Sequence, residues 1–420
     1  METGDESRRG RIRALHVTPW VSRKGGGVST AMWGYVDHAG GAGWRATVAG
    51  VRDADLGRDT AGRGAPVVAG PLVGPASLAY SPGFGRLLRE VEGDVVHVHG
   101  LRHWPGYAAG RVARRKDVSL VVSPHGGLYP QLLAVGRARK WVARPLDRAN
   151  LRSAALVHAT SGQEARYVRA YGVRAPIAVV GLGIDSGVYR PEEATGRRGA
   201  EATKGEGARS ELVARWPELA GQRILLYLGF LHAKKGLSRI AEALARTGDR
   251  AAGWRLVLAG PDDGPDGARA RAALAAHGQL GRTTFTGAVW DLPTKLALLR
   301  AADVLAMPSD WENFGIAIGE ALACGTPVIA STTAPWGAVV ERECGWWVDV
   351  GVEPLTAALA DVVAKTPGEL AEMGRRGRAL IVERYQWVDR AREMGEAYAW
   401  ACGRGERPPF VYFEGDSLPQ

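Results

Sequence analysis

Cysteine is scarce: three occur in 420 residues, Cys324, Cys344 and Cys402. An odd and widely spaced set excludes a disulfide scaffold and a four-cysteine zinc site. Long apolar runs are missing as well, and none reaches the ~18 residues that a membrane span needs. The start, residues 1–10, is charged and has no apolar stretch, so it reads as a disordered, solvated tail and not as a signal peptide. Lysine is also rare. Eight of the 54 basic residues are lysine, which leaves 46 arginines. The net charge of +10 points toward an anionic partner. With so many Ala and Gly residues, however, the arginine excess reads as a bias of the whole chain. We therefore expect no nucleic-acid partner, and a cytoplasmic location.

What is present is globular. Hydrophobic residues make up 46% and charged residues 23%. At ~150 residues per domain the length predicts two or three domains. Short apolar runs predict strands at 13–18, 45–51, 94–100, 120–123, 155–160 and 177–180, alternating with amphipathic stretches. Several of these runs are apolar throughout, as in strands covered on both faces. Residues 191–220 open with a polar stretch lacking apolar periodicity and read as a linker or insertion. The pattern then restarts, with strands predicted at 223–228, 254–259, 283–286, 303–307, 327–330 and 346–350. The fold class expected is α/β, with two doubly wound, parallel-sheet, Rossmann-like domains facing a cleft, at 11–190 and 221–384. Ligands of such sheets bind at the carboxyl ends of the strands.

The segment richest in chemistry is Pro308-Ser-Asp-Trp-Glu-Asn-Phe-Gly-Ile-Ala-Ile-Gly-Glu-Ala-Leu-Ala-Cys-Gly-Thr-Pro327. A strand should end near Met307, and a helix should begin near Asn313, which can cap free N–H groups. Gly325 and Pro327 should stop it. The helix is apolar all round, hence buried, and Glu320 lies inside it; a buried carboxylate needs a partner. Glu312 and Glu320 are eight residues apart, about 12 Å along a helix. The N-terminus between them suits an anion. A diphosphate there, with a hydroxylated ring at either end, describes a sugar nucleotide.

Glu-x7-Glu before Ala-Leu-Ala-Cys-Gly-Thr-Pro-Val-Ile-Ala resembles the donor-site signature of retaining GT-B glycosyltransferases of family 4. The resemblance spans nearly the whole chain. It implies that Glu320 binds ribose hydroxyls, and that Glu312 with the backbone of Asn313, Phe314 and Gly315 contacts the transferred sugar. The family pattern Gly-Arg-Leu-x-x-x-Lys-Gly is matched by Gly229-Phe-Leu-His-Ala-Lys-Lys-Gly236, with Lys235 as the diphosphate lysine. Phe230 stands where the family has arginine. Two accounts are open: an unfilled cation position, or a Phe230 packed in an apolar pocket with His232 or Lys234 supplying the charge. Lys24-Gly-Gly-Gly-Val28 is similar to the family's Gly-Gly loop near the donor phosphates, which implicates Gly26 and Gly27. Ser123-Pro-His-Gly-Gly127 matches the family's active-site histidine, making His125 the catalytic candidate together with Glu312. The family also implies a helix over 385–404 that crosses back to the first domain, with 405–420 as a tail.

His97-Val-His99 puts two imidazoles on one strand face, but no third metal ligand is evident. Asp53-Ala-Asp55, a pair of the kind metal-dependent transferases carry, lies in a polar loop outside any donor context. Trp346-Trp347 and the segment 333–336 are candidates for lining a sugar site, although Trp also fills cores. Residues 131–153 place Arg137, Lys140, Arg144, Arg148 and Arg152 on one helical arc and Val135, Val142 and Leu146 on another, with Pro145 able to kink or split the helix. That stretch is either a solvated basic face or a peripheral contact with anionic membrane at the inner face.

The expected function is a retaining, metal-independent hexosyltransferase of polysaccharide-biosynthesis type. It would use a nucleotide-diphosphate sugar as co-substrate, no cofactor, and a glycan, lipid-linked or small-molecule acceptor. Two alternatives are another GT-B enzyme such as a sugar-nucleotide 2-epimerase, which should lack Glu-x7-Glu, and a non-catalytic sugar-nucleotide or polyanion-binding protein.

Overall fold

The computed structural model describes residues 11–134, 137–191, 206–262 and 264–419, without the side chains of 137–144. The expected tail at 1–10 and much of the 191–220 linker lie outside those residues. The chain forms two compact units, one of residues 1–183 with 387–420 and one of residues 184–386.

The first unit is built on β1 (Arg13–Trp20), β2 (Arg45–Val51), β3 (Val67–Gly70), β4 (Val95–His99), β5 (Ser119–Ser123), β6 (Leu156–Ala159) and β7 (Ile177–Val179). The second carries β8 (Arg223–Leu228), β9 (Trp254–Ala259), β10 (Thr283–Gly287), β11 (Val304–Met307), β12 (Val328–Ser331) and β13 (Gly345–Val348). A last strand, β14 (Val411–Tyr412), returns to the first sheet. The first sheet runs β14-β7-β6-β5-β4-β1-β2-β3, parallel except for the antiparallel β14–β7 pair. The second runs β10-β9-β8-β11-β12-β13 and is parallel throughout.

In each sheet the order reverses once, between β1 and β4 and between β8 and β11. Those are the points where open parallel sheets bind ligands. The strands are buried on both faces, but in the first sheet only one face of β1 and β4 is apolar, the other carrying His16, His97 and His99. In the first unit Leu15, Val17, Val96 and Val98 pack on one side. In the second, Leu225, Tyr227, Leu256 and Leu258 pack against the helix Leu237–Thr247 through Ile240, Ala241 and Leu244.

Four expectations need correction. β3 was not anticipated, since four residues between Pro66 and a polar loop give too short a periodic signal. Residues 405–420 are not merely a tail: β14 pairs Val411 with Ala178 and Tyr412 with Ile177. The linker region holds a helix, Glu206–Arg215, whose Arg209 bonds to Asp303 at 2.6 Å. Of the two effects expected of Pro145, splitting is ruled out, since it sits inside one helix, Arg137–Ser153. That helix turns Asp147, Asn150 and Leu151 inward while Leu146 is 47% exposed, so Leu146 is not part of an apolar packing face. Asp147 accepts from the Arg102 N–H at 3.0 Å and Asn150 donates to the Gly106 carbonyl at 2.8 Å. The helix Trp387–Ala401 clusters with the first unit, where the Trp44 indole donates to the Ala391 carbonyl at 2.9 Å.

Candidate functional site

At the switch point of the second sheet, β8 is followed by a turn bounded by Gly229 and Gly236, and β11 by Pro308. Gly236 has φ +75, and a Cβ there would lie 2.3 Å from the Pro308 carbonyl oxygen. Only glycine lets these two strand ends approach so closely. The approach brings Lys235 and Glu312, far apart in sequence, into an ion pair through Nζ and Oε2. Both side chains are largely buried. The Asp310 N–H donates to the Lys234 carbonyl at 2.7 Å, fastening the second loop to the first. Lys234 places its ammonium 5.1 Å from the Trp311 ring centroid, and burial, then the Lys235 charge, lowers its pKa. His232 caps the short turn: its Nδ1 accepts from the Lys234 N–H at 3.2 Å.

Phe230 is 51% exposed, with its ring edge toward Trp290 at 6.2 Å between centroids. That excludes the packed-pocket account of this position.

The helix after β11 begins later than expected. It runs Ile316–Ala323, and its N-cap is Gly315 at φ +80, not Asn313. Glu312 therefore precedes the helix, and the spacing along a single helical face does not apply to the Glu312–Glu320 pair. Asn313 is half-buried in the loop between. Phe314 turns its ring into the core against Trp336, 5.0 Å between centroids, so only its backbone faces the loop. Its carbonyl accepts from the Trp336 indole at 2.5 Å. Trp336 is fully buried and fills the core instead of lining a sugar site. Trp347 is 38% exposed and donates to the Ala334 carbonyl at 2.9 Å.

Glu320 is 3% exposed. Its Oε1 accepts from Lys295 Nζ at 2.6 Å, and Lys295 reaches the Tyr189 hydroxyl at 3.1 Å. Burial and the Glu320 charge raise the Tyr189 pKa, keeping the phenol protonated.

The first unit holds the other expected residues. Gly26, at φ +55, opens the helix Gly26–His38 after β1, and a Cβ on Gly27 would meet nothing within 4 Å. His125 follows β5 in a left-handed conformation, φ +50. This costly geometry for a side-chain-bearing residue is fixed by its neighbour, because the Gly126 N–H donates to Glu164 Oε1 at 2.5 Å. The other Glu164 oxygen accepts from the Thr160 N–H at 2.8 Å. His125 Nε2 lies 2.9 Å from His99 Nδ1. Desolvation, with the His158 charge second, pushes His125 down to about 3. It is neutral at physiological pH.

Sequence reasoning found no third partner for His97 and His99, but register supplies one. His16 of β1 pairs with His97 of β4, and the nitrogens of His16, His97 and His99 lie within 4.8 Å of one another. These rings are already engaged by hydrogen bonds. His16 Nδ1 is 2.9 Å from His99 Nε2, and both His97 nitrogens have partners in Tyr398 and Ser123. The two carboxylates of Asp53-Ala-Asp55 are likewise occupied, Asp53 by the Ser22 hydroxyl at 2.9 Å and Asp55 by Arg58.

The model of the glycosyl transferases group 1 family matches residues 209–380, and that of the glycosyl transferase 4-like domain matches residues 26–183. The D-inositol 3-phosphate glycosyltransferase of Xylanimonas cellulosilytica is 31% identical over 323 residues, 74% of this chain and 73% of that one. The chain belongs to the group 1 glycosyltransferases, family 4 type. This glycosyltransferase is also 31% identical over 291 residues, 68% of each chain, to the GDP-mannose-dependent alpha-(1-6)-phosphatidylinositol dimannoside mannosyltransferase of Mycobacterium tuberculosis. Its fold is GT-B, shared with Anabaena Alr3699/HepE, solved in complex with UDP and glucose. That likeness has a TM-score of 0.74 at 18% identity and covers 93% of this chain and 100% of that one.

Several residues of this glycosyltransferase went unnoticed in the sequence. Lys295 carried no motif; its role comes from the helix Leu292–Ala301 lying beside Glu320. Glu164 had a signal, since Ser161-Gly-Gln-Glu164 has capping-box spacing. Tyr398 had none, because its partners are more than 300 residues away. Among the described residues no helix is long and apolar enough to cross a membrane.

Proposed function

We propose that this glycosyltransferase is a retaining hexosyltransferase that draws on a nucleotide-diphosphate sugar and needs neither metal nor cofactor. The single observation that carries the reading is the Lys235–Glu312 ion pair at the β8–β11 switch point. It supplies one cation for a diphosphate and one carboxylate for sugar hydroxyls in adjacent positions. Glu320, charged and buried beside Lys295, is the acceptor for ribose hydroxyls. Asn313 and the backbone of Phe314 and Gly315 lie toward the transferred sugar. Within the first unit, Gly26 and Gly27 present backbone N–H groups suited to phosphate oxygens, and His125 an imidazole suited to a sugar hydroxyl. Lysine and the backbone N–H groups preceding Ile316 take the electrostatic role that a divalent ion has elsewhere.

Retention then proceeds on one face. The bond from the anomeric carbon to the diphosphate oxygen breaks, the acceptor oxygen bonds to that carbon from the same side, and its proton passes to the leaving phosphate. The acceptor is a glycan, a lipid-linked sugar or a small molecule. The M. tuberculosis relative is named for a phosphatidylinositol dimannoside, and the basic stretch 131–153 is compatible with anionic membrane at the inner face.

One panel tests the reading. UDP-, GDP- and ADP-sugars are each measured for thermal stabilisation and for acceptor-dependent nucleotide release, with and without EDTA. A donor at 100 times its Kd stabilises by about 2.7 kcal/mol. We expect one donor class to stabilise and turn over in EDTA. Activity lost in EDTA and restored by Mn²⁺ or Mg²⁺ refutes the metal-free site. Nucleotide released without any acceptor points to the epimerase class, and no stabilisation by any donor refutes the nucleotide-sugar reading.

A further inference from the structure

Behind His125 the first unit holds a continuous series of buried hydrogen-bonding side chains, and its geometry can be solved for protons. It starts at His158, whose Nε2 lies 2.8 Å from the Val180 carbonyl. A carbonyl only accepts, so this nitrogen carries the hydrogen and Nδ1 is bare. Ser123 Oγ, 2.6 Å from His158 Nδ1, must then donate to it. Having spent its hydrogen, Ser123 accepts from His97 Nε2 at 2.5 Å. His97 Nδ1 is therefore bare and takes the Tyr398 hydroxyl hydrogen at 2.6 Å. Tyr398 shows only lone pairs to His16 Nε2, 3.4 Å away, which favours hydrogen there. His16 Nδ1 then accepts from His99 Nε2 at 2.9 Å, and His99 Nδ1 accepts from His125 Nε2 at 2.9 Å.

We propose that this one-way chain, anchored at the Val180 carbonyl, fixes the proton of His125 on Nε2 and presents its Nδ1 as a bare acceptor. His125 is the one imidazole of the series that is not fully buried, so its free nitrogen is where the chain ends. The matching group on a ligand is a hydroxyl that donates, and His125 cannot deliver a proton from Nδ1. His99, His16, Tyr398, His97, Ser123 and His158 are positioning residues, acting through one another. Burial keeps the series neutral, as the solution requires. That the hydroxyl belongs to a donor sugar rests on the proposed function, but the tautomer does not.

The test is long-range 1H–15N correlation on the full chain labelled at histidine, with His125 assigned from the His125→Gln spectrum. We expect the wild type to show Nε2–H with unprotonated Nδ1 at His125. Ser123→Ala removes the acceptor of His97 Nε2–H, and the cheapest repair reverses every later bond up to His125. Tyr398→Phe leaves His16 Nε2–H unpaired and favours the same reversal. In each folded variant the His125 proton should move, wholly or partly, to Nδ1. A wild-type His125 protonated on Nδ1 overturns the proposal, as does an unchanged His125 in every folded variant. If neither variant folds, the wild-type spectrum decides. Unchanged turnover in His125→Ala would instead refute the donor role of His125 and leave the tautomer result standing.

Discussion

Lowering the pH from 7.5 to 5.5 should destabilise the first unit, and the reason is six imidazoles held neutral inside it. Burial, with the charges of neighbouring histidines, pushes His16 and His125 down to about 3, and holds His97 and His99 well below the usual histidine value. Burial sets His103 and His158 at about 4. In the unfolded chain each titrates near 6.5. Between the two values the unfolded chain binds more protons, so stability is full above pH 6.5 and is lost as the pH falls through it. Over this interval each imidazole that stays neutral in the fold costs about 1.4 kcal/mol, and six give a ceiling of about 8 kcal/mol. Asp37, Asp147 and Glu393, raised by burial, pull the other way. A net loss of about 3 kcal/mol or more is expected, against a typical domain stability of about 5–15 kcal/mol. Urea unfolding at pH 7.5, 6.5 and 5.5 measures it, with hydrogen exchange assigning transitions to the units. The second unit, which holds none of these six imidazoles, should change little. A first-unit loss below about 1 kcal/mol, less than one imidazole supplies, refutes the argument.

Three further outcomes concern the donor site. Glu320→Gln keeps the size of the side chain but removes the charge that Lys295 faces, so donor affinity should fall about tenfold with folding retained; unchanged affinity by calorimetry would remove Glu320 from the ribose role. Lys235→Ala should cut turnover on the order of 10²-fold, read in single-turnover kinetics, and a loss under about threefold would mean that the diphosphate charge is met elsewhere. Phe230→Arg should change stability by less than about 0.5 kcal/mol because the side chain is 51% exposed, with donor affinity equal or tighter; weaker binding with an unchanged melting temperature would reject the unfilled-cation account.

The fold was legible where strands are long and apolar. The runs at 45–51, 223–228 and 254–259 coincide with β2, β8 and β9. It was illegible at β3 and β14, which are four and two residues long and owe their existence to an edge already formed. At the site, Glu320 could be read as buried because the residues around it are apolar on every side. Its partner Lys295 could not be read, since nothing in the local sequence says which helix lies beside it. The helix start was misplaced for a similar reason. Asn313 has the chemistry of a cap, but the chain spends Phe314 on the core and turns at Gly315, a choice made by packing against Trp336. The histidines were countable in the sequence, whereas their connection required the register of β1 against β4 and a tyrosine from residues 387–401.

The return of residues 387–419 to the first unit has a consequence for how the protein is made. A ribosome delivers the chain from one end, and domains usually fold as they emerge. The second unit is one uninterrupted stretch, 184–386, and can close as soon as it clears the exit tunnel. The first unit cannot. Its β7 edge waits for β14, the Trp44 indole waits for Ala391, and the imidazoles of β1 and β4 wait for Tyr398. The half of the molecule translated first is thus finished last, with apolar strands standing incomplete for the time it takes to add some 200 residues.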